Sequence, residues 1–251
     1  MQRMGIFSKI FQKNRAVDPL DFSLIGTDVH SHLIPGIDDG AKDLDDSMRL
    51  IRRLSDLGYN KIITTPHVMS DFYRNSSETI LRGRDLIQQE AKKRGFDVEI
   101  EAAAEYYLDE FFEDLLERRD ILTFGDNYVL FELAFMWAPD ALNRAIFNMQ
   151  MAGYKPILAH PERYAYWHDQ YSKYEDLVAK DVLLQLNINS LTGTYSPQVQ
   201  KVSRRLIDDG LISFVGTDCH HLGHCDLLQQ ASTQKHLHDL VASGKLLNKT
   251  L

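Results

Sequence analysis

The sequence predicts an α/β fold: seven parallel strands, each followed by a helix, closed as a (β/α)7 barrel. Two observations give the parallel sheet and a third favours its closure. Seven short β-rich runs occur, at 24–28, 61–64, 98–102, 128–132, 156–159, 182–188 and 212–215, and several are continuously apolar, as in YVLF, PILA, VLLQL and ISFV. Such runs suit strands covered on both faces, the usual condition of a parallel sheet. Helical segments lie between them, and strand–helix alternation implies right-handed crossovers between parallel strands. Seven such units could still form an open, doubly wound sheet. The third observation, the polar residues that follow the runs, argues for the barrel.

The helices can be placed in order. Asp43 caps the first, with Asp45 and Asp46 in its opening turn and Gly58 past its end. Met48, Ile51, Leu54 and Leu57 give it an apolar stripe. Further helices are expected at 77–94, 108–119, 139–152, 173–179 and 197–209, and a last one from about 226 to 243. No repeat, low-complexity tract or Pro/Gly linker interrupts the pattern. Residues 1–20 read as a loose basic tail and 21–251 as a single domain. The alternative for the tail, MQRMGIFSKIFQKNR, is a short amphipathic segment that touches a membrane or a partner.

Composition narrows the class. The length of 251 residues suits one barrel-sized domain, and 44% hydrophobic with 25% charged residues suits a soluble one. The net charge of −8 argues against nucleic acid as a partner, which usually needs a basic face. An anionic substrate stays open, because bound cations reverse the local sign. Only Cys219 and Cys225 occur, so no disulfide framework is indicated and a reducing compartment is the simpler reading. No apolar run approaches the roughly 18 residues of a membrane span. The expected location is the cytoplasm.

The chemistry lies after the strands. The first is followed by His30, His32 and Asp39, the second by His67 and the third by Glu105. The fourth ends at Glu132, the fifth is followed by His160, and the seventh by Asp218 and His220. In a parallel barrel these strand ends converge on one mouth, where active sites are built; an open sheet would spread them along an edge. Residues two apart in a strand share a face, which suits His30 and His32. Four carboxylates buried there without cations would be costly. Mixed nitrogen and oxygen ligands suit manganese, iron or zinc, and manganese is favoured on the resemblance described below. Two divalent ions would neutralise the four carboxylates, whereas three would leave a net charge of about +2 that attracts a phosphate dianion. Three ions are therefore favoured over two. Asp38–Asp39–Gly40 also reads as a turn, and only one of its aspartates needs to bind metal. Asp39 is taken, in part on the resemblance described below.

Arg163 follows His160 by three residues, close enough to reach the mouth and pair bidentately with phosphate. The alternative is a surface arginine bridging to Glu162. Phe72, Tyr73, Tyr106, Tyr107, Phe135, Trp137, Tyr164 and Tyr166 crowd the same loops, where some pack and a few could form a slot for an aryl substrate. No phosphate-binding glycine loop and no HExxH helix is present. Neither cysteine is followed six positions later by arginine, which disfavours a thiolate phosphatase. Cys219, His220, His221, His224 and Cys225 could mimic a zinc cluster, but the alternation of Asp218 and His220 at a strand end explains the segment better.

The segments TDVHSHLIPGIDDG, TTPHV, AAAEYY, LFELA, ILAHPERY and VGTDCHH resemble the PHP (polymerase and histidinol phosphatase) superfamily over about residues 27–221. They look most like its bacterial tyrosine-phosphatase branch, found with capsule and exopolysaccharide genes. The resemblance implies a distorted seven-stranded barrel with three manganese or iron ions. It implies ligands at His30, His32, Asp39, His67, Glu105, Glu132, His160, Asp218 and His220, with Arg163 on the substrate phosphate. It also implies a phosphotyrosine protein as substrate, a bacterial tyrosine kinase that controls polysaccharide export. Similar proteins often carry another arginine after the final Asp-x-His. Here the segment reads HHLGHCDLL, with no arginine: either His221 or His224 stands in, or that contact is missing. The reaction expected is in-line attack by metal-activated hydroxide, with Arg163 on the phosphoryl oxygens and metal or His220 at the mouth assisting the leaving group. The rivals are phosphatase action on a small phosphomonoester such as histidinol phosphate, and a non-catalytic, metal-bound phosphopeptide scaffold.

Overall fold

Every strand pairing in the computed structural model, which describes residues 17–251, is parallel. The hydrogen-bonded segments are β1 (Thr27–Asp28), β2 (Lys61–Thr64), β3 (His67–Val68), β4 (Glu99–Ala102), β5 (Glu105–Tyr107), β6 (Tyr128–Glu132), β7 (Lys155–Ala159), β8 (Leu183–Asn187) and β9 (Phe214–Gly216). They run in the orders β1-β2-β4 and β3-β5-β6-β7-β8-β9. Nine segments thus stand where seven runs were expected, and the reason is local. Pro66 has no N–H to give the ladder, so it separates β2 from β3. The ladder resumes across the gap through Ala103 N–H on the Thr64 carbonyl (3.0 Å) and Glu105 N–H on that of Pro66 (3.1 Å). The two sheets therefore follow one curled surface. Its outer edges meet beyond β1 and β9 in the parallel bridge Ser31–Cys219, with Asp218 N–H on the His30 carbonyl at 2.7 Å.

The helices are α1 (Leu44–Asp56), α2 (Ser77–Lys93), α3 (Glu110–Arg118), α4 (Leu142–Met151), α5 (Ser172–Val178), α6 (Pro197–Asp208), α7 (Leu222–Ala231) and α8 (Lys235–Ala242). Asp43 caps α1 as expected, accepting from Asp46 N–H at 2.8 Å. Met48, Ile51 and Leu54 are buried beneath that helix. The single last helix expected from 226 to 243 is instead two, and it begins earlier, at Leu222. The break is held at Ser232, whose carbonyl accepts from Leu20 N–H (2.9 Å) and from His238 Nε2 (2.7 Å).

Residues 1–16, which carry most of the expected tail, lie outside the described residues. No helix among the described residues is long and apolar enough to cross a membrane.

Two apolar layers fix the sheet. A large one fills the space between strands and helices. A smaller one plugs the inside of the curl, with Val29, Ile63, Ala103, Leu130, Ile157 and Phe214 all fully buried. At the C-terminal ends of the same strands the interior turns polar.

Candidate metal centre

The polar side chains reach one place by strand periodicity. Side chains two apart share a face. His67 lies four residues beyond Ile63, Glu105 two beyond Ala103 and Glu132 two beyond Leu130, so each continues an interior row. His67 and Glu105 are also paired in register. His160 directly follows the interior residue Ala159, so alternation would turn it outward. Its left-handed backbone (φ 34°) brings it back. Asp218 is likewise left-handed (φ 49°). Non-glycine residues pay for that conformation, and such strain gathers at functional sites. Two glycines let the walls close. A Cβ on Gly40 would stand 2.1 Å from the His32 carbonyl oxygen, and one on Gly216 would stand 2.6 Å from His30 Cβ.

The structure brings all nine predicted ligand-type residues together. Glu105 is the hub. Its Oε2 lies 3.1 Å from His30 Nε2, 3.2 Å from His67 Nδ1 and 3.4 Å from His32 Nε2, and its Oε1 lies 2.9 Å from His160 Nε2. Glu132 Oε1 stands 3.2 Å from His67 Nδ1. Asp218 Oδ1 is 3.4 Å from both His30 Nε2 and His220 Nδ1. Asp39, the outermost member, faces His220 Nε2 (3.4 Å) and His67 Nε2 (3.6 Å). Donor atoms within 4.8 Å of one another form four groups: His32–Asp39–His67–His220, His30–His32–Glu105, His30–His160–Asp218 and His67–Glu105–Glu132.

Neighbouring groups orient the imidazoles. Gln185 Oε1 holds His30 Nδ1 at 2.8 Å, Asp38 Oδ2 holds His32 Nδ1 at 2.8 Å, and the Asp218 carbonyl holds His220 Nδ1 at 2.9 Å. Each acceptor fixes the proton on Nδ1 and leaves the Nε2 lone pair for a cation. Asp38 also accepts from Gly40 N–H and His67 N–H. Both aspartates of the Asp-Asp-Gly run are thus used, one to orient and one at the rim. Sequence reasoning missed Asp38 in this role, and also Gln185, Asn187 and Tyr195. The signal for two of them was present: Gln185 and Asn187 sit two apart in an otherwise apolar run, so they share a face. Asn187 Nδ2 donates to Asp218 Oδ2 (2.8 Å) and to the Tyr195 hydroxyl (3.0 Å).

The electrostatics follow from crowding. Burial pushes the Glu105 and Asp218 carboxyls up, but His30 and its neighbours outweigh burial and hold both well below the usual carboxylate range. Burial likewise lowers His30, yet Glu105 and Asp218 raise it to about 9. His32 is raised by Asp38 against the same opposition. Inside the cluster, imidazole protons balance the carboxylates. Divalent metal ions fit the donor set better. Glu105 Oε2 is buried without a hydrogen-bond partner, although three imidazole nitrogens face it. His30 Nε2 and His32 Nε2 point at each other across 3.3 Å. Ligands about 2.1 Å from a shared ion stand about 3.0–3.4 Å apart, the spacing seen here. All donors are nitrogen or oxygen, as manganese, iron or zinc would accept.

Above the cluster is a cavity of about 340 Å³, with Arg163 in its wall. Arg163 Nη1 donates to Asp218 Oδ2 at 2.9 Å, and its guanidinium lies between the rings of Phe135 (4.8 Å) and Tyr195 (4.6 Å). It does not bridge to Glu162. That carboxyl is buried, accepts from Ser190 Oγ (2.7 Å) and Asn187 N–H (3.0 Å), and is pushed up to about 7 by burial. His221 and His224 also line the cavity, their rings 4.0 Å apart, where the resemblance leads one to expect arginine. The aromatics divide. Phe135 lines the cavity and Tyr73 stacks on His67 (5.7 Å). Tyr106 and Tyr164 are buried packing residues, and Phe72 and Trp137 are exposed. Cys219 and Cys225 are buried, Sγ to Sγ 3.5 Å, and contribute to none of the four donor groups.

Residues 26–233 match the sequence model of a family described as capsular polysaccharide synthesis, CpsB/CapC. The chain belongs to the CpsB/CapC family. This CpsB/CapC member is 31% identical over 196 residues to tyrosine-protein phosphatase YwqE of Bacillus subtilis (strain 168), covering 78% of this chain and 77% of the relative. It is 25% identical over 201 residues to tyrosine-protein phosphatase CpsB of Streptococcus pneumoniae, covering 78% and 83%. A crystal structure from work on YwqE and CpsB, described as unique metal-dependent tyrosine phosphatases, superposes with a TM-score of 0.79 at 29% identity over 90% of both chains. The histidinol phosphate phosphatase of Lactococcus lactis shares the fold, with a TM-score of 0.55 at 11% identity over 87% of this chain and 94% of that one. The resemblance to the tyrosine-phosphatase branch of the PHP superfamily thus holds, and the relatives of this CpsB/CapC member are metal-dependent tyrosine phosphatases.

Proposed function

We propose that this chain is a metal-dependent protein-tyrosine phosphatase, acting on phosphotyrosine of a bacterial tyrosine kinase that regulates capsule or exopolysaccharide synthesis in the cytoplasm. One observation carries the phosphatase reading: a fixed guanidinium, Arg163, is clamped in the wall of a cavity lined by seven of the nine metal-ligand-type side chains, with the other two, His30 and His32, buried in the same cluster. The names of the relatives supply the tyrosine-phosphate and capsule parts.

His30, His160 and Asp218 would hold one divalent ion. His67, Glu105 and Glu132 would hold another. His32, Asp39 and His220 would hold a third. Three ions, manganese before iron or zinc, give the site a net positive charge against its four carboxylates. Bound there, such ions supply Lewis acidity toward a phosphoryl oxygen and lower the pKa of water.

The chain's own groups do the rest. The Arg163 fork matches two phosphoryl oxygens, and its contact with Asp218 and the two flanking rings fixes it beforehand. His220, partly buried at the rim with Nδ1 on the Asp218 carbonyl and Nε2 toward Asp39, would serve as a ligand and carries no proton for the departing phenolate, which solvent at the mouth would protonate. Phe135 and Tyr195 supply the aromatic part of the cavity wall, beside which the substrate's aryl group would lie. Neither cysteine enters the cavity lining, so no thiolate is required.

The test is phosphate release from a phosphotyrosine peptide, with elemental analysis of the same preparation. Chelation should abolish release, manganese should restore it, and Cys219→Ser should stay active. Release that persists with no bound metal, or that dies in a folded, metal-loaded Cys219→Ser variant, would refute the mechanism.

A further inference from the structure

The loop after Glu132 exposes three apolar side chains in succession: Phe135 (43%), Met136 (79%) and Trp137 (65%). They serve two different surfaces. Phe135 lines the metal cavity, stacked on His160 at 5.7 Å. Met136 and Trp137 instead line an adjoining groove of about 500 Å³, with Leu142, Trp167 and Leu177 in its lining. Those three are nearly fully buried and give the groove an apolar floor. Beneath the loop a row of packed rings runs from the cavity wall to the groove: Phe135 packs on the buried Tyr164 (5.6 Å), Tyr164 stacks on Tyr166 (5.7 Å), and Tyr166 meets Trp167 edge-on (5.2 Å). The loop is tied down at its start. Leu133 N–H donates to the Tyr164 hydroxyl (2.9 Å), and the Tyr166 hydroxyl donates to the Ala134 carbonyl (3.0 Å).

Contiguous exposed apolar side chains on a soluble protein usually mark a binding surface. Resting on the phosphatase reading above, we propose that this groove receives an apolar side chain flanking the phosphotyrosine of a polypeptide substrate. The loop identifies the occupant, because Phe135 on the phosphate cavity is followed directly by Met136 and Trp137 on the groove. A ligand whose phosphate sits at Arg163 and whose chain continues past Phe135 runs onto Met136 and Trp137. A small aryl phosphate ends inside the cavity and never reaches them. Lys173 and Lys180 on the rim are matched by Asp140 and Asp176, so net charge does not select the occupant and apolar contact does. The preferred neighbour of the phosphotyrosine is therefore leucine, methionine or an aromatic residue. An acidic run there gains nothing from the groove.

The experiment compares metal-loaded wild type with Trp137→Ala and with Met136→Ala/Trp137→Ala on three substrates: p-nitrophenyl phosphate, a phosphotyrosine peptide flanked by leucine and phenylalanine, and the same peptide flanked by serine and glycine. The double variant should lose about tenfold in kcat/KM on the apolar peptide, mainly through KM, the order expected for one apolar side chain left unburied. It should match wild type on p-nitrophenyl phosphate and on the serine–glycine peptide. Equal losses on all three substrates would mean that the loop only supports the catalytic site, and would overturn the proposal. Undiminished turnover of the apolar peptide would overturn it too. So would a wild-type dimer that Trp137→Ala dissociates without any change in peptide preference, because the groove's occupant would then be a second copy of the chain. Wild-type enzyme that turns over neither peptide would instead sink the tyrosine-phosphatase reading on which the proposal stands.

Discussion

The base and the mouth of the curled sheet are lined by the same strands under opposite rules. At the base, Leu130 and Ile157 are fully buried among apolar neighbours, and each contact adds a little. Two residues beyond Leu130, Glu132 faces His67, and the mouth is held by charge balance. The base is complete as the chain folds. The mouth, with Glu105 Oε2 buried and unpartnered, would be completed by a cation in the function proposed above. Damage should therefore read out differently: as lost stability below, and as lost metal and chemistry above.

The largest effect should come from breaking the mouth outright. His30→Ala combined with His32→Ala should reduce phosphate release to background and remove metal, because these residues enter three of the four donor groups. Full metal occupancy by elemental analysis would refute the ligand assignment. Ile157→Ala tests the base. It should cost about 2–5 kcal/mol in a urea or thermal melt, through lost burial and the cavity left behind, while the folded fraction keeps its metal. If it loses metal as readily as stability, the two regions are not separate.

Arg163→Ala divides the mouth itself into chemistry and metal binding. It should slow aryl-phosphate hydrolysis by roughly 10²–10³-fold, or about 2.7–4 kcal/mol, with metal retained. Lysine should rescue only part of this, since it restores charge without the planar fork. Near-wild-type kcat/KM in the alanine variant would remove Arg163 from the reaction. The smallest effect should come from Gln185→Ala, which frees the His30 ring without deleting a ligand. Metal affinity, measured by chelator competition, should fall by about 10–100-fold. Unchanged affinity would mean that packing alone orients His30.

Much of this division could be read from the sequence, for physical reasons. Strands covered on both faces leave continuous apolar runs, so the seven runs were visible. The interruption at Pro66 was not, because the ladder repairs itself across the gap through Ala103 and Glu105. The long last helix was also misread, because what breaks it is the distant Leu20 N–H on the Ser232 carbonyl. The ligand residues stood out because each follows a strand and carries a titratable side chain. Asp38, Gln185, Asn187 and Tyr195 did not, since an amide, a phenol or the second aspartate of a turn has commonplace uses. Only the fold shows that they hold a ligand or meet Asp218. Trp137 was grouped with Phe135 as a candidate for one aryl slot, and a single bend of the loop places them on different surfaces.

The meeting of the two sheet edges has a consequence for the order in which the molecule is made. Thr217 hydroxyl donates to Asp28 across 189 residues, and Asp218 N–H reaches the His30 carbonyl beside it. His67, Glu105 and Glu132 come from β3, β5 and β6, neighbours in the sheet that are all complete by residue 132 of 251, so a growing polypeptide owns that trio early. His30, made before any of them, waits for Asp218, almost the last ligand to be synthesised. Contacts so distant along the chain form slowly. The trio of His30, His160 and Asp218 is thus assembled only when the final strand arrives, and an ion held there would mark a finished molecule rather than a nascent one.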